Sequence, residues 1–160
     1  PMGRTIYDDL LKWKRSADRK PLLLEGIKQA GKAHILTYFG QQKYDNVVYF
    51  NFKDDPGLAD IFTEGADPVT IVRDLGLRSS ERIEPVRTLI ILDEIQFCNP
   101  ALMSMRLFCE KAPEYHIACA GSMGMMLPAG SFPVGNVERI RIGPKDYRKF
   151  LSAYLEEPPE

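Results

Sequence analysis

The chain has 160 residues, 44% of them hydrophobic, with 21 basic and 22 acidic side chains and a formal net charge of −1. That length suits one domain with its own core. The balanced charge argues against a general polyanion binder, whose basic stripe would show in the totals, while leaving room for a local basic patch, so nucleic acid is not an expected partner of this domain. No run of 18 apolar residues is present to span a bilayer, and Pro1-Met2-Gly3-Arg4 lacks the apolar stretch of a signal peptide. Cys98, Cys109 and Cys119 are odd in number and show no Cys-x-x-Cys spacing. A disulfide framework and a thiolate metal site are therefore disfavoured, and buried thiols in a reducing cytoplasm are expected.

Helices and strands alternate along the chain. Ile6, Leu10 and Trp13 fall on one face of an opening helix, which Pro21 is expected to stop. Leu22-Leu23-Leu24 is a short apolar run, as in a strand covered on both faces. After Gly31, residues through Phe39 have helical spacing, with Gly40 as the expected stop. Val47 to Phe52 is β-branched and aromatic and predicts a strand, followed by a turn at Asp54-Asp55-Pro56-Gly57. Asp67-Pro68 reads as an N-cap with proline at the first helical position, the helix ending at Gly76 before a polar loop over Arg78 to Glu84. Thr88 to Leu92 is the next buried strand, Asn99-Pro100 opens a helix to about Lys111, and Tyr115 to Ala120 is a strand ending on Gly121-Ser122. Met123 to Pro133 is irregular, Val137 to Ile142 predicts a fifth strand, and Tyr147, Phe150, Leu151 and Tyr154 mark a last helix. Such alternation implies parallel pairing in an α/β fold, with ligands beyond the carboxyl ends of the strands.

Two motifs sit at those ends. Gly26-Ile27-Lys28-Gln29-Ala30-Gly31-Lys32 reads GxxxxGK between a strand and a helix, the setting in which backbone amides cradle phosphates. Lys32 is placed to reach the β- and γ-phosphates. The next position, where a Ser or Thr hydroxyl would ligate Mg²⁺, is Ala33. Water can replace that ligand, so weakened metal positioning is expected rather than loss of nucleotide. A glycine turn that binds nothing is the alternative. Thr88-Leu89-Ile90-Ile91-Leu92-Asp93-Glu94 is an apolar strand ending in two carboxylates, a Walker B pattern. Asp93 is the candidate metal-side carboxylate and Glu94 the group that activates or orients water; a solvated strand end is the alternative. Ser122 closes a third strand. It is a candidate γ-phosphate sensor or an ordinary turn serine.

The chain resembles the ATPase domain of bacterial and archaeal AAA-like proteins that carry a C-terminal domain of unknown function. The likeness rests on the Gly26 to Ala33 block, on Asp93-Glu94-Ile95-Gln96 followed by Pro100-Ala101-Leu102, on Ala120-Gly121-Ser122 and on Ser131-Phe132-Pro133-Val134-Gly135. It runs from about Arg4 to Leu151. It implies a three-layer α/β/α P-loop NTPase domain over residues 1–155 with a mainly parallel five-stranded sheet, and a short tail at 156–160. It further implies ATP or ADP and Mg²⁺ as ligands, bound by Gly26, Lys28, Gln29, Ala30, Gly31, Lys32 and Ala33, with Asp93, Glu94 and Ser122 around the reacting phosphate. Slow hydrolysis, a non-hydrolysing switch and a protein-interaction scaffold are the activities to separate, with self-association or a protein partner expected. Lys28 stands where the family carries arginine, and Ala33 where it carries threonine. The family's lid and C-terminal domain are not within this sequence.

Other features have blander readings. Arg139 and Arg141 are a solvated strand face rather than trans-acting arginines. His34 is a helix-surface residue and not a ligand candidate, and His116 is a structural histidine. Met123, Met125 and Met126 are a core cluster or, alternatively, a partner surface. Lys12, Lys14, Arg15, Arg19 and Lys20 give the first helix a solvated basic face.

Overall fold

A computed structural model describes residues 3–27, 31–122 and 135–155. Five strands form one wholly parallel sheet: β1 (Leu22–Gly26), β2 (Asn46–Asn51), β3 (Thr88–Asp93), β4 (His116–Ser122) and β5 (Glu138–Ile142), in the order β2-β3-β4-β1-β5. Five α-helices cover it: α1 (Ile6–Arg15), α2 (Lys32–Lys43), α3 (Pro68–Ser79), α4 (Asn99–Lys111) and α5 (Pro144–Tyr154).

The sheet separates two cores. Leu22, Leu24, Leu89, Ile91, Ala118 and Ala120 point toward α1, α2 and α5, where Leu10, Trp13, Leu36, Phe39 and Phe150 bury. Leu23, Val48, Phe50, Ile90, Leu92 and Ile117 point the other way, onto Ile71, Leu75, Leu102, Met105 and Phe108 of α3 and α4. Every residue of β1 and β3 is buried. This explains their unbroken apolar runs, since neither face of a central parallel strand meets water. The three-layer α/β/α architecture is therefore present. No helix among the described residues is long and apolar enough to cross a membrane.

Helix ends follow local chemistry, with some corrections. Asp67 caps α3 by accepting the Val69 amide at 2.8 Å, ahead of Pro68. Asp8 accepts the Thr5 amide at 2.8 Å, and Asp146 accepts the Gly143 amide at 2.7 Å, each tying down the start of its helix. Helix α1 ends at Arg15, well before Pro21; the Trp13 indole donates to the Lys20 carbonyl at 2.6 Å and fixes the intervening turn. Gly40 does not stop α2, which runs on to Lys43. A Cβ at Gly40 would lie 2.5 Å from a Val47 methyl and 3.0 Å from a Leu89 methyl, so its role is to let α2 approach the sheet. Likewise α3 passes through Gly76 to Ser79. The expected turn at Pro56 is the start of a 3₁₀ helix, Pro56–Ile61, that packs Leu58 into the second core. The irregular stretch from Met123 to Pro133, with its methionines, lies outside the described residues.

All three cysteines are free, Cys98 and Cys119 being buried. His116 is 2% exposed. Its Nδ1 shares a 2.6 Å hydrogen bond with the Tyr44 hydroxyl, its ring lies edge-on to Trp13, and Nε2 has no partner among the described residues. Burial, aided by the nearby Arg19 and Lys14 charges, pushes its pKa down to about 3. The unfolded chain, with an ordinary histidine near 6.5, takes up the proton more readily than the folded one between those values. His116 therefore contributes stability that is complete above pH 6.5 and declines as pH falls toward 3, by up to about 1.4 kcal/mol per pH unit. Urea midpoints measured from pH 7 to pH 5 should fall more steeply in the parent chain than in His116→Gln. Parallel profiles would show that His116 is not held neutral.

Candidate functional site

Parallel pairing in register brings the strand ends together. Gly26 lies opposite Ser122, and Asn51 opposite Asp93. The connection after β1 enters α2 on one face of the sheet, whereas those after β2 and β3 enter α3 and α4 on the other. A crevice opens at such a reversal, beyond the carboxyl ends of the strands. Here it is a cleft of about 200 Å³ lined by Gly31, Lys32, Ala33, His34, Asp93, Glu94 and Ser122. Residues far apart in sequence thus share one wall: the start of α2, the end of β3 and the end of β4.

Gly31 caps α2 with φ 75°, a left-handed conformation that suits glycine. The helix amides then point into the cleft, where the helix dipole favours an anion. Lys32 is 7% exposed. Its Nζ donates to the carbonyls of Gly26 and Ile27, each at 3.0 Å, which ties the start of α2 to the end of β1. Burial lowers the Lys32 pKa, and the Asp93 and Glu94 carboxylates oppose that shift. Of the residues expected to bind phosphate, Gly31, Lys32 and Ala33 line the cleft and Gly26 supplies a carbonyl to Lys32. Lys28, Gln29 and Ala30 lie outside the described residues.

Asp93 is 7% exposed at the end of β3. Its Oδ1 accepts the Glu94 amide at 2.8 Å and its Oδ2 accepts the Tyr49 hydroxyl. Burial foremost, and then the bond to Asp93, push the Tyr49 phenol pKa up. Glu94 sits at φ 55°, ψ 43°, one of three described non-glycine residues with positive φ. That conformation costs of the order of 1 kcal/mol for a residue bearing a Cβ, and it turns the chain from β3 into the 3₁₀ helix Ile95–Phe97. The Ser122 amide donates to Gln96 Oε1 at 3.3 Å, which ties the end of β4 to the segment after β3. The Ala33 side chain offers only carbon to the cleft. The hydroxyl one turn on, Thr37, donates back to the Ala33 carbonyl at 2.7 Å and cannot stand in for the missing oxygen.

Three contributors were not legible as site residues. His34 is exposed, as expected of a helix-surface position, yet it lines the cleft; its Nδ1 shares a 2.7 Å bond with the Tyr147 hydroxyl. Tyr147 of α5 lies against the loop so closely that a Cβ on Gly31 would fall 2.2 Å from its ring. Tyr49 reaches Asp93 from the neighbouring strand. Beside these stands Glu25, buried at the end of β1. Arg139 donates to its Oε1 from Nε at 3.1 Å and from Nη2 at 2.6 Å, and Arg141 donates to Oε2 at 3.3 Å. The two arginines are exposed, as expected of a solvated strand face, yet they also hold a buried carboxylate one residue before the phosphate loop.

A larger groove, about 430 Å³, lies between residues 63–66 and the start of α4. It does not bring a lysine and paired carboxylates together at strand ends, so volume alone does not make it the better candidate.

A helix start, a lysine and two carboxylates gathered beyond the ends of a parallel sheet are the features of a P-loop α/β domain. The model of the AAA domain family matches residues 18–151, and the chain belongs to that family. No curated protein is similar in sequence. Among solved structures, the ORC1 protein of Aeropyrum pernix in complex with DNA is similar over 92% of this chain and 46% of its own, with a TM-score of 0.51 and 15% identity. A chain of Drosophila ORC bound to DNA is similar over 85% of this chain and 41% of its own, with a TM-score of 0.48 and 12% identity. At such identity the former shows the fold alone. The chain spans less than half the length of either.

Among the described residues, removing Arg139 leaves Glu25 buried with the exposed Arg141 as its charged partner. Arg139→Ala is expected to lower unfolding stability by about 1–3 kcal/mol, and Arg141→Ala by less than about 1 kcal/mol. Equal, negligible losses in denaturant titrations would show that Glu25 does not need its partner.

Proposed function

We propose that the cleft binds ATP and ADP through the α2 amides and Lys32, and hydrolyses ATP slowly with Mg²⁺. The carrying observation is that Lys32, Asp93, Glu94 and Ser122 surround one cleft although they come from separate elements. On binding, Lys32 exchanges its two carbonyl partners for phosphate oxygens, a charge-assisted bond replacing neutral ones. The donor set fits Mg²⁺, which commonly takes one or two protein carboxylates with phosphates and waters completing its octahedron. Asp93 would hold it, Ala33 contributing nothing. When bound, the ion would neutralise charge developing on the phosphates. Glu94 orients and deprotonates the attacking water, and Ser122 bonds the γ-phosphate. Phosphoryl transfer depends on such positioning, so the missing hydroxyl at Ala33 is expected to slow it.

A nucleotide-binding switch that does not hydrolyse is the second reading, favoured by the same Ala33. A scaffold that binds no nucleotide is the third. Self-association or a protein partner, and a cytoplasmic setting, accompany the first two. Nucleic acid is not an expected partner of this domain, given its balanced charge.

Calorimetry should find ATP and ADP binding that Lys32→Ala removes. Phosphate release should fall at least about 100-fold in Glu94→Gln, the usual size of a general-base contribution, and rise in Ala33→Thr. Binding with no measurable release in either the parent or Ala33→Thr would favour the switch. No binding by the parent would leave the scaffold.

A further inference from the structure

Tyr49 and Asp93 are one pleat apart on the same face of the sheet. Strands β2 and β3 pair with Tyr49 opposite Ile91 and Asn51 opposite Asp93. A diagonal neighbour at this spacing lies within reach of an aromatic side chain. Val48 and Phe50 on either side of Tyr49 are buried, while Tyr49 is 43% exposed. Burial alone therefore does not hold the ring in place; its hydroxyl does so through Asp93 Oδ2. Asn51 Nδ2 donates in turn to the phenol oxygen at 3.3 Å, and Asn51 Oδ1 accepts the amides of Lys53 and Asp54 at 2.9 and 3.1 Å. A chain of hydrogen bonds thus runs from the backbone after β2 to the Asp93 carboxylate.

The torsion that turns an aspartate carboxylate about its own axis has broad, roughly two-fold wells. The Glu94 amide on Oδ1 fixes one oxygen; a second donor on Oδ2 fixes the plane. We infer that Tyr49 is a positioning residue that sets the orientation of the Asp93 carboxylate toward a divalent cation held with nucleotide. The inference rests on the nucleotide-binding reading above. With carbon at Ala33, no hydroxyl from the phosphate loop shares the task of placing the cation, so the orientation of Asp93, and Tyr49 through it, carries more of it.

The test is binding rather than turnover. A non-hydrolysable ATP analogue is titrated into the parent chain and into Tyr49→Phe by calorimetry across a series of Mg²⁺ concentrations. Affinity without metal should be the same in both. The Mg²⁺ concentration giving half of the metal-dependent gain should rise at least about threefold in Tyr49→Phe, with Asn51→Ala shifting it the same way by less. Thermal unfolding of each variant without ligand separates this from a loss of fold. Equal Mg²⁺ dependence in the parent and Tyr49→Phe, or a lower requirement in the variant, overturns the inference while leaving the nucleotide site standing. An analogue that fails to bind the parent chain at any Mg²⁺ concentration overturns both.

Discussion

A lysine ammonium that is almost wholly shielded from water sets the terms for the rest of this site. Burial disfavours the Lys32 cation, and the protein answers with two backbone carbonyls and two nearby carboxylates. Those carbonyls belong to Gly26 and Ile27 at the end of β1, and Gly31, in a left-handed conformation, opens the helix that carries Lys32. The carboxylates are available only because β3 ends beside it. On the proposed reading, phosphate oxygens would take the place of those carbonyls with more charge.

The sheet converts sequence order into that proximity. Strand β1 lies inside the sheet, with β4 on one side and the edge strand β5 on the other. The elements before and after it in space come from distant parts of the chain. Placing α2 on one face and α3 and α4 on the other leaves the strand ends open between the layers. Glu25 adds a second electrostatic constraint one residue before the loop. Its carboxylate pins β5 to β1 through Arg139 and Arg141, which fixes the strand that precedes α5 and hence the ring of Tyr147 against Gly31. Glu94 stores a small conformational cost at the place where a candidate water-activating group must face the cleft.

What the sequence makes legible follows from how local each signal is. The apolar runs ending in Asp93 and in Ser122 identify buried strands because both faces of a central parallel strand demand apolar side chains. GxxxxGK marks the start of α2 because the backbone there needs a glycine. Asp67-Pro68 marks α3 because the cap and the helix are adjacent in sequence. Contacts across the fold leave no such trace. Tyr49 lies 44 positions from Asp93, and Glu25 lies 114 from Arg139. Their residue types alone suggest a strand aromatic, a strand end and a solvated arginine face. Gly40 illustrates the opposite failure: a glycine at a plausible helix end is retained for close packing against Val47 and Leu89, and the helix continues. His34 has no metal-ligand spacing to draw notice, and only the fold shows that it borders the cleft.

The most direct measurement is to map where nucleotide lands. Amide chemical shifts of the isotopically labelled chain, recorded as ATP and Mg²⁺ are added, should move at Gly31, Lys32, Ala33 and His34 and at the ends of β3 and β4, with α3 undisturbed. Shifts centred instead on the groove between residues 63–66 and α4, or no shifts at millimolar nucleotide, would contradict the assignment of this cleft as the nucleotide site.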